Sequence, residues 1–396
     1  MADAVVKPRK SDEEKKMNAV KKIGEFADTN WQALAAELGP RLSQNAQEND
    51  AGGLFATENY ALLREHGFFK IAIPQELGGA GASHAELCAV IREIGQHCAS
   101  TALSYSMHTH PVALNVFKHL RGDDKATATL RKIVDNDLVI AGTGANDWLE
   151  SSGEMTAVEG GFRVTAHKHF VSGSPGAQVF VTSSTYAGEN GREVLHFAIP
   201  FSSEGITHHS NWDTLGMRAT GSNDMTLEQV YVPETAIVAR RPAGEWHPMW
   251  NVILPTAMPL IMSAYVGLAD AAVTLAKKAA AKRAHELAPV LGEMLNQHAL
   301  AVIAHEDMKR INQNHGFTPA DALSSDILTR KTLLANAAQR CVELGAEIVG
   351  GASFFKGHPM ERILRDVKAC YFHPLPYRRQ HQFSGRINLG LDPIGK

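Results

Sequence analysis

The sequence predicts an α+β multidomain protein: an N-terminal helical domain, a central antiparallel β domain (barrel or sandwich) and a C-terminal four-helix bundle. Three observations carry this expectation. The chain has 396 residues, beyond the roughly 250–300 at which a single core stops growing. Its apolar pattern is helical up to Leu138 and alternates with a period of two afterwards. It becomes helical again at 251–282, a segment rich in Ala, Leu and Met and apolar on most faces, which belongs in a bundle or an oligomer interface.

Residues 1–20 read as a mobile basic-acidic tail and 21–138 as the helical domain. There Ile23, Phe26, Trp31, Leu34 and Leu38 recur at helical spacing. Leu54 to His66 is amphipathic and ends at Gly67, placed as a C′ glycine. The segment 68–74 is too short for a helix and leads into the glycine-rich loop 75–81. Ser83 with Glu86 three residues on forms a capping box for the next helix, and another helix follows at about 101–119. Residues 139–238 carry β-branched alternating runs at 162–166, 179–182, 195–199 and 225–232, separated by glycine turns. Residues 239–396 hold helices at about 251–282, 290–313, 320–350 and 359–371, with a tail.

The bulk numbers exclude more than they assign. Net charge is −3, with 44% hydrophobic and 20% charged residues, which gives no electrostatic case for nucleic acid or an anionic membrane. Cys88, Cys98, Cys341 and Cys370 form no CxxC pair, so free thiols in a reducing cytoplasmic compartment are expected. The start of the chain is charged and polar, without a secretory apolar stretch. His108-Thr109-His110 and His208-His209 have metal-like spacing but no partnering carboxylates or thiols at ligand positions, so solvated histidines and no metal are expected.

The order of domains, with a series of local motifs over about 20–372, resembles the acyl-CoA dehydrogenase superfamily of flavoproteins. The motifs are Gly67-Phe68 through Gly78-Gly79-Ala80-Gly81, then Lys168-His169-Phe170-Val171-Ser172-Gly173, then Leu215-Gly216-Met217-Arg218 with Ser222, then Val232-Pro233, and finally Glu347 to Gly351 and Glu361-Arg362 to Arg365-Asp366. The resemblance implies FAD, or FMN in one branch. It implies flavin contacts at Gly142, Thr143, Phe170, Val171 and Ser172, with hydrogen bonding at the ring's pyrimidine edge and N5 that tunes its redox chemistry. Arg283, Gly350 and Gly351 would meet the diphosphate end from a neighbouring subunit, since glycines permit close approach to phosphate. The plainer alternatives stand beside these: an ordinary strand serine at 172, a helix cap at 350–351, a surface arginine at 283. A homo-oligomer, dimer or tetramer, is implied, with an electron-transfer flavoprotein or a flavin reductase as redox partner.

The substrate side departs from the family. Many members carry a catalytic glutamate where this chain has Pro374, and some carry it at the position of Ala257. Abstracting a proton next to a thioester carbonyl needs a base that neither residue supplies. The loop 144–153, which contacts acyl-CoA in the family, here contains Trp148. The main expectation is therefore a flavin-dependent oxidoreductase acting by α,β-dehydrogenation of an acyl thioester or similar substrate with a non-standard base. The alternative is a reduced-flavin monooxygenase working through a C4a-peroxyflavin, in the branch that resembles dibenzothiophene monooxygenase. A non-catalytic paralogue is the third reading. Under the monooxygenase reading, His373 and His108 are the catalytic candidates, because imidazole exchanges protons near neutrality. Trp148, Arg218 and Ser222 are the candidates for substrate contact, and Arg218, Thr220, Ser222 and Asp224 form a polar cluster that is either substrate-facing or an exposed strand end.

Overall fold

The computed structural model describes residues 29–143, 147, 150–189 and 191–395. Trp148 and most of the loop around it lie outside the described residues.

The N-terminal segment forms α1 (Trp31–Gly52), α2 (Thr57–Glu65), α3 (His84–His97), α4 (Ala99–His119) and α5 (Asp124–Asn136). The end signals act as the sequence leads one to expect. Gly67 follows α2 at φ 78°, and the Ser83–Glu86 capping box closes with Glu86 Oε2 accepting the Ser83 N–H at 2.7 Å. The segment 68–70 tightens into a single 3₁₀ turn.

The C-terminal segment forms α6 (Trp250–Ala280), α7 (Ala284–Asn312), α8 (Asp321–Val349), α9 (Pro359–Asp366) and α10 (Tyr377–Asn388). α9 is shorter than the expected 359–371; beyond Asp366 the chain continues as a 3₁₀ turn to Tyr371. The two helical segments share one core, in which Leu87, Ile91 and Ile94 of α3 cluster with Ala264, Leu268 and Ala272 of α6. Their approach is close enough to require glycine. A Cβ at Gly267 would lie 2.0 Å from the Arg92 carbonyl oxygen, and one at Gly95 would lie 2.7 Å from that of Ala264. Arg92 closes the contact with a two-pronged bond to Asp270 at 2.6 and 2.9 Å. Burial on every side explains why α6 is so apolar.

Between them lies an eight-stranded sheet: β1 (Ile140–Gly142), β2 (Glu154–Val158), β3 (Gly161–Val171), β4 (Val179–Gly188), β5 (Gly191–Pro200), β6 (Ile206–His208), β7 (Asn223–Pro233) and β8 (Ile237–Pro242). The order is β6-β7-β3-β2-β4-β5-β8, with β1 on β4. Most pairs are antiparallel, but β1–β4 and β2–β4 are parallel. Both chain segments enter alongside β4 after long connections, which is what parallel pairing needs. A second core of Phe162, Val164, Phe180, Leu195, Phe197, Leu227 and Val230 fills the sheet's inner face.

Candidate active site

The residues expected at the site lie on β1, the end of β3 and the stretch 212–222 before β7. β1 passes so close to β4 that a Cβ at Gly142 would lie 2.7 Å from the Val181 carbonyl oxygen. Thr143 follows directly, its Oγ1 held 2.9 Å from Thr182 Oγ1. On β3 the register with β7 shifts between Lys168 and Val171. Phe170 takes φ 63°, unusual for a residue with a side chain, and its ring is half exposed with an edge contact to Trp212 at 6.0 Å. Such bulges re-aim side chains beside functional sites. Val171 itself is fully buried in the sheet core, so only its backbone is available to a ligand.

Ser172 Oγ lies 2.7 Å from Ser222 Oγ, and Ser222 Oγ lies 2.7 Å from Thr220 Oγ1. The structure thus joins a residue expected at the cofactor to one expected at the substrate. Thr220 donates to the Met217 carbonyl at 2.9 Å. A carbonyl can only accept, so the direction of the whole relay follows: Ser222 donates to Thr220, and Ser172 donates to Ser222. Ser172 therefore has lone pairs, not its proton, to offer a further partner.

Met217 is the hub of this stretch. Its carbonyl also accepts from Trp212 Nε1 at 2.9 Å, and its N–H donates to Asp366 Oδ1 at 2.5 Å. Asp366 is 2% exposed, and burial pushes its carboxyl up to about 6, against the Met217 N–H, which favours the ionised form. Arg365 binds Asp50 at 2.6 Å and Glu361 at 2.6 Å and donates to the Leu215 carbonyl. The Arg-Asp pair is thus a clasp that fixes 215–217 against α1 and α9.

Past this clasp the chain reaches His373. Its Nε2 bonds the hydroxyl of Tyr265, a fully buried residue of α6. The backbone oxygens of His373 and Leu375 accept from Lys331 Nζ at 2.9 and 3.1 Å. Burial lowers Lys331 to about 8. Burial, then the nearby Lys331, lowers His373 to about 3, and burial raises the Tyr265 phenol well above its usual value. Both partners are neutral near pH 7. Donation from the Tyr265 hydroxyl to Nε2 satisfies the buried phenol proton and leaves the imidazole proton on Nδ1.

Several expected site residues fall elsewhere. His108 is 2% exposed; its Nε2 bonds the Phe69 carbonyl at 2.9 Å and its Nδ1 accepts the Ile140 N–H at 3.0 Å. Both ring nitrogens are committed to backbone, so the expectation of a catalytic role is corrected: His108 joins α4 to the first strand. Arg218 turns away from Ser222, donating to the Asp50 carbonyl at 2.9 Å, to Asp213 and to the Thr214 carbonyl. It lines a surface cavity of about 430 Å³ with Lys356, Arg362 and Arg365, apart from Ser222. Arg283 is exposed beside Glu286, and Gly350 (φ 75°) and Gly351 end α8 with open space around them. Tyr265 and Lys331 were not foreseen, because their partners lie far off in sequence and neither sits in a motif.

The family model "Acyl-CoA dehydrogenase, N-terminal domain" matches residues 14–135, and "Acyl-CoA dehydrogenase, C-terminal domain" matches 296–375. The chain belongs to the acyl-CoA dehydrogenase superfamily of flavoproteins. It is 26% identical over 366 residues to YdbM of Bacillus subtilis (strain 168), assigned by name to the acyl-CoA dehydrogenases, with 87% of this chain and 92% of YdbM covered. It is also 26% identical over 392 residues to L-evernosamine nitrososynthase of Micromonospora sp., with 91% and 90% covered. The FMN-bound TdsC structure from Paenibacillus sp. A11-2 superposes with a TM-score of 0.80 at 19% identity, covering 93% of this chain and 99% of that one.

Proposed function

We propose that the protein is a reduced-flavin monooxygenase that oxygenates a nitrogen or sulfur centre of a small molecule. The observation that carries this is the neutral Tyr265–His373 pair at the place where dehydrogenases of the family hold a carboxylate. Pro374 has no base to offer, and Ala257 is a buried apolar residue of α6. The nitrososynthase and TdsC likenesses favour the same branch.

The donor set fits a flavin. Thr143 and Ser172 present neutral hydroxyls, and residues 169–170 have no registered partner on β7, which suits an uncharged heterocycle edge. Thr143, Ser172 and the backbone at Phe170–Val171 would hold the ring. Arg283, Gly350 and Gly351, supplied by a second copy in a homotetramer, would meet the phosphate end. Phe354 and Phe355 beside that turn are 90% and 72% exposed, as a covered face requires.

When bound, reduced flavin supplies the two electrons that dioxygen needs. This chain's residues do the rest. Ser172, whose proton is spent on Ser222, would be an acceptor for an N–H of the reduced ring. The His373 Nδ1–H would donate a hydrogen bond into the site; Tyr265 fixes that tautomer, and Lys331 holds the backbone at 373 and 375. With an imidazole at about 3, no cation forms near neutral pH, so the donor is a neutral N–H. A flavin reductase is the fitting partner, and the four buried free cysteines suit a reducing cytoplasm.

The test mixes the protein with FMN, a flavin reductase and NADH under ¹⁸O₂, with amines and thiophenes as substrates. Label in the product and its loss in His373→Ala, with flavin affinity kept, are expected. Anaerobic bleaching of bound flavin by an acyl-CoA, without oxygen incorporation, would instead establish the dehydrogenase reading.

A further inference from the structure

The strands that carry Ser172 and Ser222 present another group on their solvent face. His167 and His169 stand two apart on β3, so alternation directs both outward. β7 brings Asp224 beside them, with Thr226 opposite His167 in the ladder. Asp224 Oδ2 lies 3.1 Å from His167 Nε2 and 3.1 Å from His169 Nδ1. One donor atom from each residue falls within 4.8 Å of the other two. The sequence hides this constellation, since 55 residues or more separate Asp224 from the histidines and only the strand pairing joins them.

The spacing is that of a coordination shell. Donors about 2.1 Å from one ion stand about 3.0 Å apart at an octahedral angle and about 3.4 Å apart at a tetrahedral one. Both histidine–aspartate separations fall in that interval. The histidine–histidine separation is bounded by 4.8 Å and closes by turning the rings, whose side chains are 45% and 49% exposed.

Supporting groups fix the rings from behind. His167 Nδ1 lies 3.0 Å from Thr226 Oγ1, which leaves Nε2 as the atom facing Asp224. Asn211 Nδ2 donates to Asp224 Oδ2 at 2.9 Å, and the His209 N–H donates to the Asp224 carbonyl at 3.1 Å. Such outer bonds orient ligands in established metal sites. The His209 ring stands 5.6 Å from that of His167 and is engaged with Thr226 at 2.8 Å, so the remaining coordination positions are open to water.

We infer that His167, His169 and Asp224 form a divalent transition-metal site, of the two-imidazole, one-carboxylate kind that takes Zn²⁺. Imidazole with carboxylate suits zinc better than the hard alkaline-earth ions. The bound ion staples β3 to β7 two residues from Ser222 and three from Ser172, and it is independent of the flavin chemistry above.

The test uses the full chain, stripped with chelator and dialysed, and Zn²⁺ as the probe. Competition against a chromophoric chelator should give one site per chain. Asp224→Asn should weaken it by at least about tenfold, and the pair His167→Ala with His169→Ala should remove it. His285→Ala, at an exposed residue of α7, should leave it intact. Zn²⁺ should raise the urea midpoint of the native chain but not of the double variant, whose metal-free circular dichroism should match the native chain. Co²⁺ should give visible ligand-field bands in the native chain only. Equal Zn²⁺ affinity in the native and doubly substituted chains, or no binding by the native chain, overturns the site.

Discussion

Replacing Asp366 with Asn isolates the clasp between the C-terminal segment and the 215–217 turn. Asn keeps an oxygen to accept the Met217 N–H and removes the buried charge. The Asp366 carboxyl titrates at about 6 in the fold against 3.8 for the ordinary group. A raised carboxyl means the folded state holds the proton more tightly than the unfolded one. The group's contribution is therefore most favourable at low pH, declines as pH rises through the 4–6 window, and levels off above it. At 1.36 kcal/mol per unit the full swing is about 3 kcal/mol, of which about 1.4 kcal/mol falls between pH 5 and pH 7.5. Urea unfolding of both chains across that range reads it. The variant should gain on the native chain by about 1.4 kcal/mol as pH rises, whatever constant offset the amide introduces. A difference that stays flat, or that shrinks with rising pH, would refute burial as the cause of the shift.

Three further outcomes follow from other contacts. Lys168 is fully buried, lowered to about 8 by burial, and lies 3.3 Å from Asp147; Asp147→Ala leaves that charge unpaired and should cost roughly 3–5 kcal/mol in chemical unfolding, while adding Lys168→Met should recover part of the loss. Gly267→Ala drives a methyl to 2.0 Å from the Arg92 carbonyl and should destabilise by at least about 1–3 kcal/mol, read as a lower urea midpoint. Ser222→Ala frees the Ser172 proton to donate into the cleft, so affinity should shift from reduced toward oxidised flavin by about 1 kcal/mol, roughly fivefold, measured by fluorescence titration of both forms; an unchanged ratio would show that Ser172 does not face the ring.

Local signals were legible wherever the chemistry is local. The Gly67 stop, the Ser83–Glu86 box and the alternation along β3 and β7 all depend on neighbours a few residues away, and the helical–sheet–helical order could be read directly. Boundaries failed where tertiary contacts take over, as at Asp366, where the expected helix gives way to a 3₁₀ turn once its carboxylate is held by Met217. The parallel pairings on β4 were missed for the same reason, since alternation says nothing about which strands lie side by side.

The site divides along the same line. Motif positions nominate Ser172, Ser222, Gly142, Thr143 and His373, because they are fixed in relation to strand ends and to the Arg365-Asp366 pair. From sequence both His108 and His373 stand as candidate imidazoles, His108 the weaker because plain dehydrogenases also carry a His there. Only packing separates them: His108 has both nitrogens bound to backbone, while the His373 ring rests on Tyr265, 108 residues earlier, through Nε2 alone. The direction of the Ser172–Ser222–Thr220 relay and the meeting of His167, His169 and Asp224 likewise belong to the fold. Residue types and local spacing set which groups are present; the polarity of a hydrogen bond and the closing of a ligand shell depend on atoms brought together from distant parts of the chain.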